Sequence, residues 1–215
     1  MNYGPKIVTN GLILMLDAAD VLSYSGTGST WTDLSGYNNH FTLNGSLTHS
    51  RTAGFSGFTQ TNRWYRNSFP TNLKTSQGGN GYTTVVWARC NGLSGVWQKL
   101  IGNGDDQNYI DIYAGISTGY YRSEDGSTLY YNSAINVAQD SFYIADSVWR
   151  MYCTTNLNGG NTSNPADAFG IGSEGDAATN FPWNGNIMSV MLYNRVLSTD
   201  EMTQNYNAHR SRFGV

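Results

Sequence analysis

Runs of β-branched and aromatic residues, each of strand length and each broken by Gly, Asn, Ser or Thr, recur along the whole chain with no amphipathic helical period between them. An alternating α/β fold needs roughly ten or more residues of helix between successive strands, so this pattern predicts an antiparallel sandwich. The expected strands are 12–17, 82–90, 99–102, 109–114, 128–132, 147–155 and 187–193, each rich in residues that suit a pleated, half-buried surface. With 25 Gly and only 4 Pro spread evenly, turns recur and no linker divides the chain, so residues 1–215 are expected to form a single domain.

The one helix signal lies at 198–209. Ser198 and Glu201 have the spacing of a capping box, Asp200 adds negative charge at the positive end of the dipole, and Met202 and Tyr206, four apart, should face the sheet. In the strand before it, simple alternation points Ile187, Met191 and Tyr193 one way and Met188, Val190 and Leu192 the other. Both faces are apolar, so something must cover the second one. The helix that follows is the expected cover, and a partner subunit is the alternative.

Composition removes several functions. A net charge of −3 without a basic run lacks the footprint of a nucleic-acid binder. The start Met1-Asn2-Tyr3-Gly4-Pro5-Lys6 has no positive cluster and the apolar run from Leu12 to Leu16 ends at Asp17, so neither a signal peptide nor a membrane partner is expected. Cys90 and Cys153 lie far apart in apolar strand-like segments, which suits two buried thiols.

Two segments carry a recognisable pattern. The first runs from Asn10-Gly11-Leu12-Ile13-Leu14-Met15-Leu16-Asp17 through Trp31-Thr32-Asp33-Leu34-Ser35-Gly36 and Asn38-Asn39 to Phe41-Thr42-Leu43-Asn44-Gly45; the second is Trp183-Asn184-Gly185-Asn186-Ile187-Met188-Ser189-Val190-Met191-Leu192-Tyr193-Asn194-Arg195-Val196-Leu197. Together they resemble the concanavalin A-like lectin/glucanase superfamily in its laminin-G-like jelly-roll branch, and are most similar to the variants common in tailed bacteriophages. Thr84-Val85-Val86-Trp87 and Val148-Trp149-Arg150-Met151 stand where that family has its two central strand motifs. The sequence departs from the family at Gly57-Phe58-Thr59-Gln60-Thr61-Asn62-Arg63-Trp64-Tyr65, where a Phe-Asp-Gly stretch is expected. The resemblance implies an all-β antiparallel jelly-roll sandwich with one short C-terminal helix. It also implies a non-enzymatic virion protein, a capsid decoration or head-fibre protein that is homo-oligomeric, binds other virion proteins and is assembled in the host cytoplasm. Its alternative is a carbohydrate-binding lectin module of a tail fibre or adhesin that recognises host-surface glycans.

Glucanases need two carboxyl groups roughly 5 to 9 Å apart, one acid and one nucleophile or base. Of the three Glu, Glu201 belongs to the helix cap, while Glu124 and Glu174 sit in Gly-rich turns without the Glu-x-Asp-x-x-Glu strand spacing, so no hydrolysis is expected. Gly170-Ile171-Gly172-Ser173-Glu174-Gly175 matches the dinucleotide fingerprint in form, but no helix follows it, and it reads as a strand end and turn. No cofactor is expected. Calcium is the one left open, with Asp105, Asp106 and Asp125 as candidate ligands against the plainer reading of a solvated Asn/Asp/Gly turn. His40, His49 and His209 lack metal-ligand spacing. For a glycan or protein contact, aromatic rings near loops are the candidates: Trp64, Tyr65, Trp97, Tyr121 and Trp183, with Tyr120, Tyr130 and Tyr131 behind them.

Overall fold

The computed structural model describes residues 5–66, 81–93, 98–103, 112–114, 121–122, 128–132, 135–137, 144–156, 168–173 and 181–215. Its strands are β1 (Leu12–Asp17), β2 (Thr30–Trp31), β3 (Phe41–Asn44), β4 (Thr48–Ser50), β5 (Gly54–Ser56), β6 (Arg63–Arg66), β7 (Tyr82–Cys90), β8 (Gln98–Asn103), β9 (Ile112–Ala114), β10 (Tyr121–Arg122), β11 (Thr128–Tyr131), β12 (Ile135–Val137), β13 (Arg150–Asn156), β14 (Phe169–Ile171) and β15 (Gly185–Tyr193). One helix, α1 (Thr199–His209), and a 3₁₀ turn, Arg210–Arg212, close the chain. The described strands form two antiparallel sheets: an eight-stranded one ordered β12-β11-β13-β7-β15-β5-β4 with β1 also on β15, and a seven-stranded one ordered β10-β9-β8-β14-β6-β3-β2. This is the expected all-β jelly-roll sandwich with a short C-terminal helix. β1 and β7 fall on the residues the sequence pattern indicates.

β7 and β15 form the centre of the larger sheet and are buried almost throughout. Their two faces carry different cargo. Val86, Ala88, Val190 and Leu192 share one face with Tyr152 and look toward the other sheet, as the register pairs Val190 with Val86 and Val86 with Tyr152. Between the sheets, at the β5 end, sits an aromatic cluster in which Phe55 lies 4.9 Å from Tyr24, 4.7 Å from Trp31 and 4.9 Å from Trp64, ring centre to ring centre. Edge-to-face pairs of this kind contribute about 0.5–1.5 kcal/mol each beyond their burial.

The alternation expected in β15 holds from Val190 to Tyr193 and breaks at Ile187. A register shift between Ile187, which pairs with Ala88, and Ser189, which pairs with Trp87, makes Met188 the extra residue of a β-bulge. Ile187 therefore joins Val190 and Leu192 on the inner face, rather than Met191 and Tyr193 on the outer one.

The outer face of that sheet is covered by the chain's own C-terminus, as expected. Trp87 stacks on Tyr206 (5.7 Å) and Phe213 (4.4 Å), and the Cys153 thiol lies 3.3 Å from the Met202 sulfur. Both cysteines are buried thiols outside any disulfide. The capping box forms as the spacing indicates, with the Glu201 amide donating to Ser198 Oγ and the Ser198 amide to Glu201. Arg195 adds a two-pronged ion pair to Glu201 (2.8 and 2.6 Å), which with the helix cap holds that carboxyl at about 2.

A second contact fixes the far end of α1. Arg212 donates to both oxygens of Asp17 in β1 (2.7 and 2.8 Å), beside buried His209. Burial alone pushes the Asp17 carboxyl up, but the Arg212 hydrogen bonds and charge carry it below the ordinary value. His209 is held down at about 4, first by burial and then by the Arg212 charge, against the opposing pull of Asp17.

Among the described residues, no strand lies beside the edge of β1 turned away from β15. Its polar groups are taken up by the loop at residues 23–39: Asp33 Oδ1 accepts from the Met15 amide (2.9 Å), the Leu34 amide donates to Met15 O (2.8 Å), Asn39 Nδ2 donates to Ile13 O (2.7 Å), and Ser23 Oγ accepts from the Asp17 amide (3.0 Å). Asp33 is itself held by Ser35 and the Asn39 amide. An open edge beside a central strand invites pairing with another chain, and this loop closes it.

Two outcomes follow from these contacts. Asp33→Ala removes a charged acceptor serving three backbone amides and a hydroxyl, and should lower the unfolding free energy by about 3 kcal/mol, seen as a lower urea midpoint at unchanged slope. Unfolded His209 takes up its proton near 6.5 and the folded side chain only near 4, so stability should fall as pH is lowered across that interval. Asp17, whose pKa is depressed, adds a loss at still lower pH. In a thermal melt series from pH 7 to pH 4, His209→Gln should flatten the first part of the decline.

Candidate functional site

At one end of the sandwich the turn after β5, the turn after β7 and the entry to β15 meet around a cleft of about 240 Å³. Its lining is Ser56, Gly57, Phe58, Asn91, Pro182, Trp183, Asn184 and Gly185. Two glycines let these segments come this close. A Cβ at Gly172 would lie 2.0 Å from the Phe58 ring, at a backbone φ of +82°, and a Cβ at Gly185 would lie 2.0 Å from Arg89 O. The Gly-rich run from Gly170 thus ends a strand and makes a bend that seats Phe58, which is the role expected of its described part.

A set of neutral amides holds the cleft in shape. Buried Gln98 accepts from the Asn184 amide (2.8 Å) and donates to Gly92 O (3.1 Å), where Asn184 Nδ2 also donates (3.2 Å). The Asn91 amide donates to Asn184 O (2.8 Å). Asn186, one strand over, accepts at Oδ1 from both Asn91 Nδ2 (3.2 Å) and Arg89 Nε (2.9 Å) and donates to Ala53 O (3.0 Å). The Trp183 indole nitrogen donates to Arg89 O (3.2 Å), which fixes its ring beside Tyr152.

Chemically the cleft offers aromatic and proline walls with exposed Asn91 and Asn184 amides at its rim. Among the described residues its lining contains no ionisable side chain, so the arrangement holds a neutral polar ligand by hydrogen bonds and ring contact and supplies no acid or base.

The residues expected from the sequence are distributed differently. Trp64 is 0% exposed, its indole packed among Tyr24, Trp31 and Phe55, so it has no face to offer a ligand. Strand parity is the reason: Trp64 points into the sandwich and its neighbour Tyr65 out of it. Tyr65 is half-buried on the outer face of the smaller sheet, in register with exposed Thr42 and with Gly170. Trp183 does border the cleft, but at 1% exposure it supports the wall and is not the free stacking platform expected. Tyr121 lies in β10. Tyr130 and Tyr131 are half-buried in β11, with Arg150 over the Tyr131 ring. Trp97, Tyr120, Asp105, Asp106, Asp125, Glu124 and Glu174 lie outside the described residues. Among the described residues no group of three or more His, Cys, Asp or Glu is placed to hold a metal ion. His40 and His49 serve the backbone, accepting from the Asp33 amide and contacting Ala18 O.

Sequence reasoning missed Ser56, Phe58, Asn91, Gln98 and Asn184. The Asn91-Gly92 and Asn184-Gly185 pairs were visible as turn signals, but only the fold shows that the two turns face each other.

No protein-family model matches this chain, and no curated protein matches it either. Solved structures do match its fold. A mutant of Trypanosoma rangeli sialidase displaying trans-sialidase activity superposes with a TM-score of 0.63 at 15% identity, covering 97% of this chain and 34% of its own. Trypanosoma rangeli sialidase in complex with sialic acid gives 0.59 at 15% identity, covering 94% and 33%. The binding domain of botulinum neurotoxin DC in complex with SialylT gives 0.55 at 12% identity, covering 93% and 52%. This chain therefore spans about a third of those sialidases and about half of the toxin chain. At such identities the likeness is one of fold, a lectin-like β-sandwich.

Proposed function

We propose that this protein is a carbohydrate-binding module without catalytic activity, and that it holds its ligand in the cleft between Phe58, Asn91 and Trp183-Asn184. The observation that carries the reading is the chemistry of that lining: apolar walls, two exposed amides, backbone supplied by Gly57 and Gly185, and no acid or base. A sugar presents an apolar ring face and neutral hydroxyls, which is the complement of such a lining. The fold supports the reading too, since proteins described in complex with sialic acid and with SialylT share it. Carbohydrate binding thus takes precedence over the virion role that the sequence resemblance implies.

A virion structural role is the second reading. It is supported by that resemblance and by Val21 (62% exposed) and Leu22 (74% exposed), which stand at the rim of a second groove of about 320 Å³ lined by Ser23, Ser25, Thr27, Ser29, Thr30 and Thr32, a surface suited to protein contact. In that reading the protein is an oligomer on the capsid or a head fibre, and calcium would be sought at Asp105, Asp106 and Asp125.

The test is a broad glycan panel with the intact chain and Asn184→Ala. The account expects saturable binding to at least one glycan, weakened about fivefold or more in the variant by loss of a rim amide, with the melting temperature within a few degrees of the parent. Binding to no glycan on the panel would contradict it, and recovery of the protein in purified virus particles would then favour the second reading.

A further inference from the structure

Resting on the carbohydrate reading of the cleft, the geometry points to a more specific ligand: we infer that the saccharide carries a carboxylate, and that Arg89 is the residue that selects it.

Arg89, two residues after Trp87 on the outer face of the larger sheet, stands outside the cleft lining and is joined to the rim residue Asn91 through Asn186 Oδ1. Three contacts hold it there. Its Nε donates to Asn186 Oδ1 (2.9 Å), its guanidinium lies over the Trp149 ring (5.4 Å to the centre), and its backbone is anchored by the Trp183 indole. Asn186 Oδ1 is shared with Asn91 Nδ2, so a single side chain sets both the rim amide and the cation. Asn186 is itself buried and fixed to Ala53 O.

What this scaffold leaves over is the functional end of the arginine. Among the described residues the two terminal nitrogens of Arg89 have no hydrogen-bond or ion-pair partner. The carboxylate that approaches this end of the sheet, Asp146, is already held by both terminal nitrogens of Arg150 (2.5 Å each). A half-buried guanidinium fixed by Nε and stacked on an indole presents a planar pair of N–H donors in one orientation, which matches the two oxygens of a carboxylate. Orientation is imposed before binding, so little of the arginine's rotamer freedom remains to be lost. The chain as a whole is acidic, at −3, so general attraction of anions is not available and any preference for one must come from a local group such as this. The sugar ring meets the cleft walls and the Asn91 and Asn184 amides, and its acidic substituent reaches Arg89 across Asn186. Uronic acids and nonulosonic acids such as sialic acid are the sugar classes with that substituent.

Matched pairs separate charge from shape. Trigalacturonate against its methyl ester, and sialyllactose against lactose, are titrated by calorimetry into the parent chain, Arg89→Gln and Arg89→Lys, at low and moderate salt, with a melting curve for each variant. The expected result is an acidic member bound about tenfold or more tightly than its neutral partner, a preference that shrinks as salt rises. Arg89→Gln should remove the preference by weakening the acidic ligand far more than its neutral partner, and Arg89→Lys should keep part of it because charge survives without the fork. Equal binding of the acidic and neutral members by the parent, or a preference that survives Arg89→Gln in a folded variant, overturns the inference. If only neutral glycans bind and Asn184→Ala weakens them, this inference fails and the cleft reading stands. If no saccharide binds, both fail.

Discussion

The carboxylate of Asp33 accepts from the backbone amides of Met15, Ser35 and Asn39 and from the Ser35 hydroxyl, and so binds one loop to the free edge of β1. The rest of the larger sheet depends on that closure. β15 is long enough to share one edge between two partners, β5 at its start and β1 at its end. The Met188 bulge lies at the changeover, where the Ala18 amide donates to Met188 O. With its outer edge closed by Asp33, Asn39 and Ser23, β1 stays paired to β15 and keeps Met15 and Asp17 on the face where the C-terminal helix docks. The site at the other end of β15 inherits its position from the same strand, because Gly185 and Asn186 are its first residues.

Burial on both faces divides the labour of this sheet. The inner face carries Thr84 and Thr154 among its aliphatic and aromatic side chains, whereas the outer face carries Asp17, Ser189 and Thr83 and is sealed by a helix with polar anchors of its own. Asn205 accepts from the Val8 amide and donates to the Tyr193 hydroxyl, and Thr83 Oγ1 both donates to Arg195 O and accepts from the Leu197 amide. Unpaired polar groups at such depth would be costly, so these bonds fix where the helix lies. His209 is the weak point of the arrangement, since its imidazole must remain neutral to stay buried.

Much of the fold was legible in the sequence. Long strands such as β1 and β7 announce themselves because a run of apolar, β-branched or aromatic residues of six to nine positions is bounded by turn chemistry. The capping box at Ser198 and Glu201 was equally plain, being local chemistry at fixed spacing. The short strands β2, β4 and β5 were not, because two or three residues carry no period, and they exist through pairing with distant segments. The site was less visible still. Trp64 and Trp183 were expected at the surface because they stand near Gly/Asn-rich loops, but strand parity in one case and an indole hydrogen bond to Arg89 in the other draw them inside. Asn91, Gln98 and Asn184 look like ordinary turn residues until the sandwich brings two turns together, and a Phe-Asp-Gly departure at Gly57-Phe58 turns out to supply an aromatic wall.

In the proposed function, ligand recognition resides at this sheet end and uses neutral amides, with Arg89 linked to them through Asn186. The most direct measurement is an amide-proton NMR titration of the intact, isotope-labelled chain with a glycan that it binds. The account predicts shifts concentrated at residues 56–58, 89–92 and 182–186, with those of α1 unmoved. Shifts confined instead to the Val21-Leu22 groove, or to the outer face around Tyr65, would contradict it.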